Sequence, residues 1–253
     1  MTEIRAAARA SKVPEVTLLF WILKIAATTL GETAGDAVSM SLGLGYLVGT
    51  AIFAAAFAIA VALQIRAAAF RPFLYWFTII ATTTVGTTLA DFADRSLGIG
   101  YAGGSALLLC LLLVSLAVWH RALGTIAVAS VRTPRAEMFY WLTIMFSQTL
   151  GTALGDWTAD SAGLGYTGAM LIFGGLLVVL AVLQAWTNVS RTLLFWAAFV
   201  LTRPLGAVVG DFLDKPAAEG GLALSRFAAS AVLLALIVVC LAVFRQRPAS
   251  ESH

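Results

Sequence analysis

Long apolar stretches without charged residues recur along the chain and predict its architecture. Residues 37–65, 96–119 and 161–188 contain no Asp, Glu, Lys or Arg. About 20 helical residues cross the roughly 30 Å hydrocarbon core of a bilayer, so each stretch holds one membrane span and a turn. Each is preceded by another largely apolar stretch that ends in an aspartate. The pattern predicts an all-α, polytopic membrane protein.

An internal repeat organises these stretches. Four tryptophans, each preceded by Phe or Tyr, are followed ten residues later by a glycine: Trp21, Trp76, Trp141 and Trp196, then Gly31, Gly86, Gly151 and Gly206. Four residues further on stands Gly or Ala, and then an aspartate: Asp36, Asp91, Asp156 and Asp211. Three copies also share Ser-x-Gly-x-Gly-Tyr, at residues 41–46, 96–101 and 161–166, and the fourth keeps only Gly220. This register predicts one membrane domain over residues 1–253, built from four repeats at 16–66, 71–121, 136–186 and 191–246.

Each repeat is predicted to be a helical hairpin, which gives eight transmembrane helices. Since every hairpin contains two helices, all four point the same way and are parallel repeats about an axis along the membrane normal. Basic residues divide unevenly between the two faces. The face that holds both termini carries Arg5, Arg9, Lys12, Arg66, Arg71, Arg121, Arg132, Arg135, Arg191, Arg245 and Arg247, and the other carries Arg95, Lys215 and Arg226. The positive-inside rule then predicts that both termini are cytoplasmic.

These four tandem two-helix repeats, each with one tryptophan and a Gly–Asp element, resemble bacterial membrane proteins built from the repeat of unknown function DUF347. The resemblance extends from about residue 16 to residue 245. It implies a multi-pass protein of the bacterial inner (plasma) membrane and no particular activity.

The composition excludes several classes of protein. Apolar residues make up 60% of the chain and charged residues 11%, against about 45–50% and 25% in soluble domains. A soluble enzyme and a nucleic-acid-binding domain are therefore not expected, and the net charge of +3 is read as a topology signal. The expected partners are the lipid bilayer and a transported cation or proton. No cofactor is expected, and no disulfide from Cys110 and Cys240, which lie in apolar runs.

The repeated Gly-x-x-x-Gly/Ala-Asp element is the main candidate for chemistry. Small residues four apart let a neighbouring helix approach closely, and the next residue places a carboxylate beside that contact. If the tryptophans mark the cytoplasmic interface, the aspartates lie roughly 22 Å deeper, in the outer third of the bilayer. Four such acids around one axis predict a cation-binding site. In the alternative interpretation each Asp ends its helix in water, and each Trp belongs to an interfacial aromatic belt rather than to helix packing.

Departures from the repeat add further charges. Lys24, Thr28, Glu32 and Asp36 lie along one helix stripe, and Arg203 takes the place of Thr28 in the fourth repeat. The functional interpretation is a charged lane in which Thr28 and Glu32 bind substrate, and Lys24 and Arg203 compensate charge until a cation displaces them. The alternative is that both bases pair with acids to fix packing. Two bases against five acids leave an excess of negative charge, which favours a cationic substrate.

These residues predict cation transport by relative movement of two similar halves, residues 1–133 and 134–253. Carboxylate and hydroxyl oxygens suit Mn²⁺, Mg²⁺ or Ca²⁺, and the metal ligands would be Asp36, Asp91, Asp156 and Asp211, with possible proton coupling. An organic-cation carrier that uses aromatic faces and a non-transporting sensor or scaffold remain alternatives. An enzyme is not expected, because the Gly-x-Gly-Asp motif of intramembrane aspartyl proteases is missing from the third and fourth repeats.

Overall fold

Eight long α-helices make up most of the structure. The computed structural model describes residues 10–250, so the predicted topology markers Arg5 and Arg9 lie outside the described residues. The helices are α1 (Leu18–Asp36), α2 (Gly45–Arg66), α3 (Pro72–Asp91), α4 (Tyr101–Leu123), α5 (Pro134–Asp156), α6 (Gly165–Trp186), α7 (Arg191–Asp214) and α8 (Arg226–Val243). Over this range an isolated bridge between Pro14 and Pro248 is the single β contact. The all-α prediction is confirmed for this part of the chain.

Six of the eight helices are long and apolar enough to cross a membrane: α2, α3 with its following turn, α4, α6, α7 and α8. Among residues 10–250, these six helices have both the length and the apolar composition of a membrane span. The other two, α1 and α5, have similar lengths, but they carry charged residues that the bundle buries, among them Lys24, Glu32 and Glu137.

The first helices of the repeats form a closed inner ring, in which α1 packs on α3, α3 on α5, α5 on α7, and α7 on α1. The second helices lie outside this ring. The main partner of each is the first helix of the following repeat: α2 packs on α3, α4 on α5, α6 on α7, and α8 on α1. The predicted hairpins are therefore consecutive in sequence, but the helices of one repeat are not each other's main partners. Two of these pairs are joined by short connections, residues 67–71 between α2 and α3 and residues 187–190 between α6 and α7, which hold the outer helix antiparallel to the next inner helix.

A π-helical turn follows the aspartate in the first three repeats, at Ala37–Ser41, Phe92–Ser96 and Trp157–Ser161. The two glycines of the shared Ser-x-Gly-x-Gly-Tyr element come next, and both have positive φ, for example 67° at Gly43 and 77° at Gly45. Residues with a Cβ rarely adopt this conformation, which explains why the element needs glycine at both places. In the fourth repeat, which lacks the element, α7 continues without a π turn to Asp214.

The two described ends of the chain lie together where the inner helices begin. Backbone hydrogen bonds join Ala249 to Val13 and Glu15 to Arg247, and the Ser11 hydroxyl donates to the Val128 carbonyl in the linker between the halves. Beside them, the Lys12 ammonium lies 2.7 Å from the Glu137 carboxylate. These contacts hold both chain ends and the central linker at one end of the bundle.

An aromatic cluster fills the inner ring at this same end. The residues before the repeat tryptophans meet there, and the hydroxyls of Tyr75 and Tyr140 are 2.6 Å apart. Three repeat tryptophans, Trp76, Trp141 and Trp196, are buried within the cluster, so the interpretation as an interfacial belt is wrong for them. Trp21 is half-buried.

Candidate functional site

The four repeat aspartates lie in one layer at the far end of the inner ring, which we call the aspartate layer. Each is the last residue of its α-helix or stands one turn before its end, and each is buried, with 1–4% of its surface exposed. Asp36, Asp91 and Asp156 are followed by π turns, and none of the three carboxylates caps its turn. The interpretation of these aspartates as water-solvated helix ends is therefore wrong.

Two basic residues from the loop end bridge the four carboxylates in pairs. The Arg95 guanidinium lies 2.8 Å from Asp91 and 3.4 Å from Asp156. The Lys215 ammonium lies 2.7 Å from Asp36 and 3.1 Å from Asp211. Each base stands four residues after the aspartate of its own repeat and reaches the aspartate of the next. The four acids are thus held as two pairs, with one base between the members of each pair.

Further charges surround the Lys215 bridge. Arg226 lies 2.9 Å from Asp214 and 3.7 Å from Asp36. Carboxylate oxygens of Asp36, Asp211 and Asp214 all lie within 4.8 Å of one another, and one oxygen each of Asp36 and Asp214 is buried without a hydrogen-bond partner. This side of the layer therefore combines three acids and two bases, while the Arg95 side combines two acids and one base.

Lys215 remains protonated in this setting. Burial acts to lower the pKa of its ammonium, but the carboxylates of Asp211 and Asp36 outweigh burial, and the pKa is raised above its ordinary value. Lys215 therefore contributes a positive charge to the aspartate layer at neutral pH.

About one helical turn from the aspartate layer, towards the chain ends, lies a second charged group, which we call the central layer: Glu32, Thr87, Thr152 and Arg203. The guanidinium of Arg203 is fully buried and lies 3.0 Å from the Glu32 carboxylate. It also donates to the hydroxyls of Thr87, at 2.6 Å, and Thr152. One side chain from α7 thus contacts α1, α3 and α5 and closes the axis of the ring. Among the two roles predicted for Arg203, the contacts match pairing with an acid.

Lys24 and Thr28 are not part of the central layer. Lys24 is fully buried, and its ammonium lies 4.1 Å from the centre of the Phe199 ring and 3.4 Å from the Thr202 hydroxyl. Within residues 10–250 no carboxylate lies within ion-pair distance of it. The Thr28 hydroxyl donates to backbone carbonyls, including that of Thr202 at 3.2 Å. Both residues therefore make contacts between α1 and α7.

The four repeat glycines are the points where neighbouring inner helices touch. Each faces the next inner helix at one repeat position: Gly31 faces Thr83, Gly86 faces Gln148, Gly151 faces Arg203, and Gly206 faces Thr28. A methyl group on Gly86 would lie 2.9 Å from the backbone carbon of Gln148, and one on Gly151 would lie 2.5 Å from Cβ of Arg203. The small residue of each element thus sets the spacing of the ring and the positions of both charged layers.

Arg95 and Lys215 have a role that the sequence pattern did not predict, since they were predicted only as topology markers on the face opposite the termini. With these residues and Arg226 added to Lys24 and Arg203, the predicted large excess of negative charge is mostly compensated. A signal was present, because an acid and a base four residues apart on a helix are neighbours. This spacing occurs in repeats two and four, whereas Met40 and Asp160 hold the matching positions in repeats one and three.

The comparisons with known proteins agree with the internal repeat. A family model described as Repeat of Unknown Function (DUF347) matches the chain four times, over residues 19–70, 74–125, 139–190 and 194–247. The four matches begin with the same spacing as the four repeat tryptophans. No curated protein and no solved structure was found to match the chain.

Proposed function

The chain belongs to the DUF347 repeat family, whose name assigns it no function. From the geometry of the aspartate layer we propose that it is a membrane transport protein for a cation. In this proposal all eight helices cross a bacterial inner membrane and both termini are cytoplasmic. The burial of the acids of α1 and α5 and of Lys24 inside the ring supports eight spans, since the outward surface of these two helices is then apolar apart from Arg135 in the first turn of α5.

The observation that carries the proposal is the layer of four buried carboxylates, in which each of two basic side chains pairs with two carboxylates. Buried acids inside a membrane helix bundle generally mark an ion path or a proton relay. When all groups are ionised, the two acids at Arg95 carry one negative charge in excess, and so do the three acids at Lys215 and Arg226. A small cation or a proton would neutralise that excess, and a cation that displaces the base would take over its contacts.

The bases give the proposal a mechanism because they join the two halves of the chain. Arg95 belongs to the first half and reaches Asp156 in the second. Lys215 belongs to the second half and reaches Asp36 in the first. Replacement of either base by a mobile cation removes a link between the halves and allows them to separate at the loop end. The central layer and the aromatic cluster fill the axis of the ring towards the termini, so in this proposal a cation reaches the aspartates from the loop end.

The donor set favours a hard cation as the substrate. Carboxylate oxygens are preferred by Mn²⁺, Mg²⁺ and Ca²⁺, and the oxygens of Asp36, Asp211 and Asp214 are close enough to share one ion once Lys215 and Arg226 move away. Proton exchange at the same carboxylates would supply the coupling to a pH gradient.

The test is flux of Mn²⁺, Mg²⁺, Ca²⁺ and protons in proteoliposomes, with and without a pH gradient. We expect one of the divalent cations to move, and we expect flux to fall to background in Asp36→Asn and Asp156→Asn. Asp160→Asn is the matched control, since Asp160 lies one turn from Asp156 but is exposed, and it should keep wild-type flux.

Folding of each variant is checked by thermal unfolding in detergent. If the wild-type protein moves none of these ions, the transport proposal is overturned. If the Asp→Asn variants fold and transport normally, the aspartate layer is not the cation site.

A further inference from the structure

A deep groove breaks the four-fold regularity of the bundle. It lies between α6, α7 and α1 in the half of the bundle nearest the chain ends, and its volume is about 620 Å³. Its walls are mainly apolar, with Leu177 and Ala181 on one side and Trp21, Ile25 and Phe195 on the other.

The other outer helices bury residues against the ring at this level. Towards the chain ends, α2 buries Ala60 and Gln64, α4 buries Ser115 and Trp119, and α8 buries Ile237 and Leu241. Trp119 is fully buried and packs on Phe139, Tyr140 and Trp196. In α6 the repeat places Gln184 at the position of Trp119, and no described residue from 174 to 186 is buried. The groove also explains why Trp21 alone among the repeat tryptophans is half-exposed, because Trp21 forms part of its wall.

The two ends of the groove differ in polarity. Arg191, an exposed residue that begins α7 and donates to the Gln184 carbonyl, lines its outer end. Thr202 lines its inner end, and the hydroxyl of Thr202 is already bonded to the Phe199 carbonyl at 2.8 Å. A ligand that fits the groove therefore carries a negative charge at one end only and is apolar along the rest.

The length of the groove matches one leaflet of a membrane. Arg191 and Thr202 are eleven residues apart on α7, which corresponds to roughly 16 Å along the helix. Half of the hydrocarbon core of a bilayer is roughly 15 Å thick. An acyl chain anchored by its headgroup at Arg191 would thus reach Thr202 at the bilayer midplane.

We propose that this groove binds an anionic phospholipid, with the phosphate at Arg191 and one acyl chain along Trp21 and Phe195. The inference rests on the membrane location in the proposed function, but not on cation transport. The lipid comes from the leaflet on the side of the chain ends.

The experiment is a binding titration by native mass spectrometry. Delipidated full-length protein in detergent is titrated with phosphatidylglycerol or with phosphatidylcholine of the same acyl chains. We expect one high-affinity phosphatidylglycerol, bound roughly fivefold more tightly than phosphatidylcholine, as expected for one arginine near an anionic headgroup. Glycerol phosphate, the headgroup without chains, is expected not to compete, because most of the contact is apolar.

Three variants locate the site. Arg191→Gln should remove the preference for phosphatidylglycerol. Arg71→Gln is the matched control and should keep it, since Arg71 is an exposed arginine that holds the matching repeat position immediately before α3 and does not line the groove. Gln184→Trp introduces the side chain that fills the space in the second repeat and should abolish binding of both lipids. Equal affinity for the two lipids, or full binding in folded Gln184→Trp, would overturn the proposal. The titration contains no ion gradient, so its result is independent of the flux assay.

Discussion

The central layer and the aspartate layer both place ion pairs inside the same ring, but they are built on different residues. The acids of the aspartate layer are residues that every repeat supplies, although its bases Arg95 and Lys215 are not, whereas the central layer uses Glu32 and Arg203, which occur in one repeat each. Their access to water also differs. The Arg203 side chain is completely buried, while Arg95, in the aspartate layer, has 34% of its side chain exposed. Arg95 is therefore able to leave into water, whereas Arg203 is not, and Lys215, with 9% of its side chain exposed, lies between them.

This difference separates a fixed link from an exchangeable one. The central layer has one acid for one base and contacts all four inner helices, so it serves to hold the ring together. The aspartate layer has more acids than bases and lies next to the loops, so its links are open to competition from cations in solution. Substitutions in the two layers should consequently differ in size and in their response to added ions and pH.

The largest expected effect is that of Glu32→Gln. The substitution leaves the guanidinium of Arg203 buried without a negative partner, which lowers the free energy of unfolding by about 3–5 kcal/mol. Thermal unfolding in detergent measures the loss. The double variant Glu32→Gln with Arg203→Met removes both charges and should recover most of the stability. Wild-type stability of the single variant would show that the Glu32–Arg203 pair does not hold the ring together.

A smaller effect is expected of Gly151→Ala, which adds a methyl group at the contact between α5 and Arg203. Overpacking of this kind lowers the free energy of unfolding by about 1–3 kcal/mol. Gly174→Ala is the matched control, since Gly174 lies in α6 with nothing within 4 Å of the added methyl group. Thermal unfolding should separate the two variants. Equal melting temperatures would mean that the ring has room at Gly151.

The smallest loss is expected of Arg95→Gln, about 1–2 kcal/mol, because the freed carboxylates of Asp91 and Asp156 lie close to the loop end. Protonation or a bound divalent cation should restore stability to this variant, since either neutralises the excess negative charge. Unfolding measured at lower pH and with added Mn²⁺ or Mg²⁺ tests this. Neither treatment should restore Glu32→Gln, in which the unpaired group is an arginine that stays charged. Identical responses of the two variants would contradict the distinction between the layers.

The sequence was sufficient to predict the helices and the repeat register, because both follow from apolar length and from spacing along one chain. It also placed the repeat glycines at close helix contacts, and Gly31 and Gly86 do face neighbouring helices. Pairing between Glu32 and Arg203 was one of two interpretations. Position within a repeat indicated the depth of both residues, but it did not indicate that a side chain from the fourth repeat reaches the first.

Three features could not be predicted from the sequence, because they depend on how helices of different repeats pack in the ring. The sequence does not show which helix an outer helix covers, so α2 was expected on α1 rather than on α3. Arg95 and Lys215 were assigned to the loop face because they follow the last apolar residues, although long side chains allow them to reach back to the aspartates. The groove beside Trp21 results from how α6 sits relative to α1, two helices from different repeats.

The packing of α8 on α1 has a consequence for synthesis of the protein. The chain emerges with α1 first, yet the helix that covers the outside of α1 is the last to be made. Until the fourth repeat is made, α1, with Lys24, Glu32 and Asp36, has neither α7 nor α8 beside it. In the proposed membrane location, α7 therefore completes the ring late, and α8 covers the outside of the first repeat after that.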